Sequence, residues 1–290
     1  MRRGDDPEYS GNERDKLWLG EWQGATSKFT SPHTYPAYDR SGVMVFIKTV
    51  PLHSQESQEY DIWRMLDGPE ARLHPDNHTV PVREVLYFNP NLALVGMEPE
   101  PTDARLFVVM DRFDTVTPLD GPISDPGYPF IRTVEDLYKF FLQIAQAVRY
   151  MHELGIAHQD IRDKNFLIDR SSIIDRCYVI DFQLSLYFPK PWTAAPRVLI
   201  DADAPEAWRP KEPYDPFPVD IYGVGTIFHN MVGAYQDAGW GLLTELEKIA
   251  ESMRQDAPEQ RPTIHAVVTY LQDLIQTSNH ALEPSAPVCP

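Results

Sequence analysis

The apolar positions of this chain change rhythm once. From about residue 17 to 113 they fall in short runs separated by Pro, Asn, Asp and Gly. Gly42 to Ile47, Val82 to Phe88 and Leu106 to Met110 are dense in β-branched and aromatic residues and read as strands. Gln58 to Leu66 differs: Ile62, Trp63, Met65 and Leu66 fit one helical face. Past about residue 130 the period lengthens. Leu137, Phe141, Ile144, Val148 and Met151 recur at steps of three and four. They follow Thr133-Val134-Glu135-Asp136, which has the form of a capping box, and end near Gly155. Further helices are predicted over about 218–232, 241–254 and 261–275, the last with a stripe of Ile264, Val267, Val268, Leu271 and Leu274. A strand-rich first third and a helical remainder predict an α+β chain in two lobes, joined near 111–118. Residues 1–14 are polar and 277–290 rich in Pro, Ser and Ala, so both ends read as flexible tails around a domain of 15–276.

Composition narrows what such a chain does. Of 290 residues, 42% are hydrophobic and 24% charged, enough apolar material for a core and against wholesale disorder. Lys plus Arg total 26 against 43 acidic residues, a net charge of −17, so no nucleic-acid partner is expected. Two cysteines, Cys177 and Cys289, imply no disulfide framework and suit a reducing, intracellular compartment, cytoplasmic or nuclear. No run of 18 apolar residues and no signal-like start at Met1 to Asp6 occur, so no membrane association is expected. Glycine is scarce, at 15 residues against 27 prolines.

The densest chemistry is His158-Gln159-Asp160-Ile161-Arg162-Asp163-Lys164-Asn165, after the long helix and before the apolar Phe166-Leu167-Ile168. Cys177-Tyr178-Val179-Ile180-Asp181-Phe182 follows. An Asp, an Asn five residues on and a second Asp just after a strand suit metal-phosphate chemistry. One carboxylate orients a hydroxyl and takes its proton; the Asn and the other Asp supply hard oxygens for Mg²⁺. Taken singly, each of these residues is more often a turn former or a solvated surface charge.

The ordered set resembles the protein kinase family, with its His-Arg-Asp…Asn loop and Asp-Phe-Gly motif. The resemblance implies a bilobal fold, a β-rich N-lobe to about residue 110 and a helical C-lobe to 276. It implies ATP and Mg²⁺ as cofactors, Asp160 as catalytic base, Asn165 and Asp181 as metal ligands, and a structural role for His158. Val45-Phe46-Ile47-Lys48 matches the strand of the phosphate-binding lysine, and Glu59 in the following helix is its partner. Glu56 is the alternative, with poorer spacing to the apolar face. Met110 falls at the gatekeeper position, the backbone at Asp111 and Phe113 faces the adenine edge, and Phe46 and Leu167 are its walls. Ala204-Pro205-Glu206 matches the end of the activation segment and Asp220 to Gly225 the buried helix behind it. Arg261 matches the arginine that pairs with Glu206 in a buried bridge. The match spans roughly residues 17–275.

Four positions depart from the family. Before Lys48 only Gly20, Gly24 and Gly42 follow the tail, and none form a glycine-rich phosphate loop, although Gly20 to Ser27 retains a turn-forming composition. Phe46 stands where the family carries a small residue against the adenine. Gln183 replaces the glycine after Asp181-Phe182. Gln159 replaces the arginine that receives a phosphorylated activation loop, so Ser185, Tyr187 and Thr193 lack the usual receiver. Only Val232 to Trp240 separates two late helices, so the family's extra helix there is cut short. Three readings follow: a protein kinase, Ser/Thr preferred, acting on a protein substrate; a pseudokinase serving as binding or allosteric scaffold; and a small-molecule phosphotransferase of the aminoglycoside or choline kinase type.

Overall fold

The computed structural model describes residues 34–39, 41–51, 58–88, 105–112, 114–115, 131, 133–169, 176–192, 194–208, 212–237 and 243–282. They fall into two compact units, one from Met1–Ala71 and Val80–Phe113, the other from Arg72–Thr79 and Asp114–Pro290. Phe113, Glu56 and the Gly20 to Ser27 stretch lie outside the described residues.

The first unit carries an antiparallel sheet ordered β1-β2-β4-β3 and a helix α1. Its strands are β1 Thr34–Tyr38, β2 Met44–Pro51, β3 Val82–Phe88 and β4 Arg105–Asp111; α1 is Glu59–Leu66. The apolar pattern does not predict β1, because Pro36 interrupts it. At the end of the strand order a residue without an N–H breaks no ladder. The β1–β2 turn is closed by Asp39, whose Oδ1 accepts from Ser41 N and Val43 N, each at 2.9 Å. Strand alternation then sorts β2. Val45 and Ile47 join Ala37, Leu86 and Val109 in one cluster, while Phe46 and Lys48 lie on the opposite face.

The second unit is mainly helical: α3 Val134–Leu154, α4 Phe217–Asp237, α5 Thr244–Met253 and α6 Ile264–Leu282, with a five-residue α2, Pro69–Leu73, at the boundary of the units. Thr133 and Asp136 complete the capping box of α3, and Gly155 ends the helix at φ 83°. A Cβ on Gly155 would meet the Phe188 carbonyl oxygen at 2.3 Å, so conformation and space both demand glycine. Phe141 of α3 stacks on Phe228 of α4 at 3.8 Å. Short strands flank the helices: β5 Asp114–Thr115, β7 Phe166–Asp169 and β8 Arg176–Val179 form one sheet. β6 Ile156–Ala157 and β9 Leu186–Tyr187 form another. α6 continues to Leu282, past the expected end at 276. Thr277 to Leu282 holds no Pro or Gly, and the Thr277 and Ser278 hydroxyls bond back to Asp273 O and Leu274 O, each at 2.8 Å.

The stretch Arg72–Thr79 groups with the helical unit rather than with the sheet its neighbours build. Arg149 of α3 pairs with Asp76, its Nε donating at 3.0 Å. Val179 N donates to His78 O at 2.7 Å, and Arg176 Nη2 to Asn77 O at 3.0 Å.

Glu206 and Arg261 brace the helical unit. Arg261 Nη1 and Nη2 reach Glu206 Oε1 and Oε2 at 2.6 and 2.7 Å, and Nη1 and Nε also donate to Pro218 O and Gln255 O. Both residues are 7% exposed, so the forked pair is shielded from water. Removing one partner strands the other. Arg261→Ala is expected to lose roughly 3–5 kcal/mol of stability. Thermal unfolding measures this; an unchanged melting temperature excludes the brace.

Candidate active site

In the first unit, alternation along β2 aims Lys48 away from the Val45 cluster, and α1 presents Glu59 from its first turn. Lys48 Nζ pairs with Glu59 Oε1, both residues nearly sealed from solvent. A buried lysine is tolerated only with such a partner. Phe46 lies two residues earlier on the Lys48 face and opposite Met110 in the β2–β4 register. Met110 is buried, and Asp111, at the end of β4, pairs with Arg83. Asp111's side chain therefore braces strand β3, leaving any ligand contact to its backbone.

In the second unit, the stretch 158–165 is organised by one buried carboxylate from α4. Asp220 accepts from His158 N and Gln159 N, each at 2.7 Å, and contacts His152 Nε2 at 2.9 Å. Gly223, one turn further along α4, has no side chain because a Cβ there would meet Ile161 O at 2.6 Å. The loop thus lies directly on α4. Gln159 and Asp181, at φ 66° and 68°, are the two non-glycine residues with positive φ among the described residues. Such conformations persist where surrounding bonds over-determine them. Here the Asp220 bonds fix Gln159, and both outliers flank the same cluster.

Asp160 is held from two sides. Asn165 Nδ2 donates to its backbone oxygen and to Oδ2, each at 2.8 Å. Arg162 Nε donates to Oδ1 at 2.6 Å, with Nη2 on the same oxygen. Ile180 N donates to Asn165 O at 2.9 Å, tying the residue before Asp181 to this loop. The loop thus joins Asp160 to Asn165, and β8 sets the backbone just before Asp181 against the same loop. Leu167, in β7, is buried beside them in sequence. The Asn amide oxygen and the Asp181 carboxylate are the hard oxygen donors that Mg²⁺ takes.

Three partners escaped the sequence reading. Arg162 carries no assigned role in the family pattern, yet its guanidinium engages Asp160. Gln159 was read as a missing arginine, yet its Nε2 donates to Pro216 O at 2.7 Å and its Oε1 accepts from Tyr214 at 3.3 Å. The 72–79 stretch carried no signal beyond its polar turn composition. It nonetheless packs His78 against β8, with Nδ1 2.9 Å from Cys177 O.

Residues 102–238 match the protein kinase domain family. That stretch carries a protein kinase domain. The matched stretch includes Asp160, Asn165, Asp181 and Asp220, and the kinase fold accounts for a sheet-bearing N-terminal part and a helical C-terminal part. Among relatives, the probable serine/threonine-protein kinase KKQ8 of Candida glabrata is 26% identical over 128 residues, covering 42% of this chain and 16% of that protein. The serine/threonine-protein kinase HAL4/SAT4 of Saccharomyces cerevisiae is 32% identical over 103 residues, 32% of this chain and 16% of that kinase. A chain of Acanthamoeba polyphaga mimivirus bearing a serine/threonine-protein kinase name is 24% identical over 209 residues, 62% of this chain and 72% of its own length. The chain spans about a sixth of the length of the first two kinases. No described helix is long and apolar enough to cross a membrane.

Two histidines of the chain, His78 and His158, are buried neutral. His158 Nε2 faces Ile180 O at 3.0 Å, and Asp160 N donates to Nδ1 at 3.3 Å, so the ring needs its proton on Nε2. Burial lowers its pKa. Burial also lowers that of His78, to about 4. Between about pH 6.5 and 4 the unfolded chain binds a proton at His78 that the folded chain refuses. Stability therefore falls as pH drops through that window, His78 contributing roughly 3 kcal/mol of the loss. Denaturant unfolding of wild type and His78→Gln at pH 7 and pH 4.5 measures it. The variant is expected to lose less stability on acidification; equal losses exclude His78 as a source.

Proposed function

We propose that this chain transfers the γ-phosphoryl group of ATP to a Ser or Thr hydroxyl of a protein. The observation that carries the reading is Asp160 held by Asn165 on the loop that Asp220 fixes. An acceptor hydroxyl hydrogen-bonded to the Asp160 carboxylate would be oriented for attack and give up its proton to it as its oxygen bonds to the γ-phosphorus, while the bond from that phosphorus to the β,γ-bridging oxygen breaks and ADP leaves. Asn165 and Asp181 would hold Mg²⁺, which neutralises phosphate charge when bound. Lys48, fixed by Glu59, would contact the α and β phosphates. By the family pattern, Phe46, Met110 and Leu167 would line the adenine, with the backbone at Asp111 on its edge. Positioning and electrostatics supply most of the rate. Serine/threonine specificity is supported by the names of the relatives.

A scaffold role is the second reading, and Phe46 favours it. Its ring shares the Lys48 face of β2, where a smaller side chain leaves more room for a purine. On this reading Phe46 weakens nucleotide binding. A third reading, a small-molecule phosphotransferase, draws no support from the Glu206–Arg261 brace, which belongs to the protein kinase pattern.

Calorimetry with Mg·ATP and a radiolabel-transfer assay on a panel of basic and acidic proteins separate these readings. Wild type is expected to bind ATP weakly and to transfer label at a low rate. Phe46→Ala is expected to bind at least tenfold tighter, about 1.4 kcal/mol, with some loss of stability from the emptied volume. Lys48→Met is expected to weaken binding, and Asp160→Asn to abolish transfer while binding persists. Nucleotide binding without transfer in either wild type or Phe46→Ala favours the scaffold. Tight binding by wild type with no gain in Phe46→Ala removes the blocked-pocket idea.

A further inference from the structure

The stretch after Asp181 is fastened at several points, and a phosphate is needed at none of them. Beside Asp160 stands Gln159, a neutral amide already engaged with Pro216 and Tyr214. It has no charge with which to hold a phosphate. Order in the stretch comes from elsewhere. β9 pairs with β6, and Phe188 N donates to Gly155 O at 2.8 Å. Lys190 Nζ then donates to His152 O and Glu153 O, each at 2.9 Å. These carbonyls belong to the last turn of α3, where backbone acceptors outnumber helical donors and a cation meets the negative end of the helix dipole. The same ammonium sits 4.9 Å from the Trp192 ring. Trp192 Nε1 donates to Phe188 O at 3.1 Å, and its ring lies 5.0 Å from Phe217 at the start of α4. Phe188 and His152 contact that Phe217 ring as well.

We propose that Lys190 and Trp192 form a built-in clamp fixing Leu186–Trp192 to the ends of α3 and α4 without modification of the chain. The clamp bears on both the His158 loop and the stretch after Asp181. β6, which β9 pairs with, runs directly into His158, and Ser185 Oγ donates to His158 O at 3.1 Å. The stretch it holds begins five residues after Asp181. The consequence for activity rests on the phosphotransfer reading: the segment is set for transfer as synthesised, with no prior phosphorylation of Ser185, Tyr187 or Thr193.

Hydrogen exchange read by mass spectrometry on the full chain tests the clamp independently of catalysis. Phosphatase-treated and untreated wild type are expected to show the same slow exchange over 183–192. Lys190→Met keeps the apolar stem and removes the donors and charge. It is expected to speed exchange there tenfold or more while α4 peptides stay unchanged, and Trp192→Phe is expected to do so to a lesser degree. Faster exchange after phosphatase treatment alone, or unchanged exchange in Lys190→Met, overturns the proposal. Should no preparation transfer phosphate while these exchange differences hold, the phosphotransfer reading fails and the clamp stands.

Discussion

The Asp220 carboxylate is the fixed point of the helical unit. It is fully buried near the start of α4, where an unpaired charge would cost several kcal/mol. Three donors offset that cost: two consecutive backbone amides of the loop bearing Asp160, and His152 from the last turn of α3. One side chain thus joins α3, α4 and the loop. It also accounts for the unusual backbone at Gln159, since two amides converge on one carboxylate only when the chain turns sharply between them. The position of Asp160 is therefore inherited from a helix 60 residues further along the chain (220 − 160).

The two units solve the problem of buried charge differently. In the first, Lys48 and Glu59 neutralise each other as an ion pair, with Trp63 Nε1 3.5 Å from the same Glu59 oxygen. In the second, charge is dispersed over backbone donors, or, at Glu206 and Arg261, over a fork whose remaining donors go to carbonyls.

Much of this was legible in the sequence because it is written in local rhythm. The α3 helix announces itself through a capping box, a three-four stripe and Gly155. The α1 face and strands β2, β3 and β4 follow from apolar spacing. The chemistry of 158–165 was visible in residue types at fixed offsets. Other features depended on long separations. Nothing near His158 signals that its amide is held by Asp220, 62 residues away. Arg162 engages Asp160 two residues back, but a flexible side chain at an exposed position carries no spacing signal. β1 was hidden by Pro36, whose tolerance depends on strand order, and α6 outran its apolar stripe because polar Thr277 and Ser278 satisfied themselves along the helix.

The assignment of Arg72–Thr79 has a bearing on modularity. The polypeptide passes from one compact unit to the other at 71/72, returns at 79/80 and leaves again at 113/114. No single cut separates two self-sufficient pieces. A fragment beginning at Asp114 would lack the Asp76 that Arg149 binds, the His78 carbonyl that Val179 N reaches and the Asn77 carbonyl that Arg176 holds. Helix α3 and strand β8 would each lose partners. The helical half is thus a composite of two sequence segments, and any insertion or recombination point placed between residues 80 and 113 divides what the fold treats as one body.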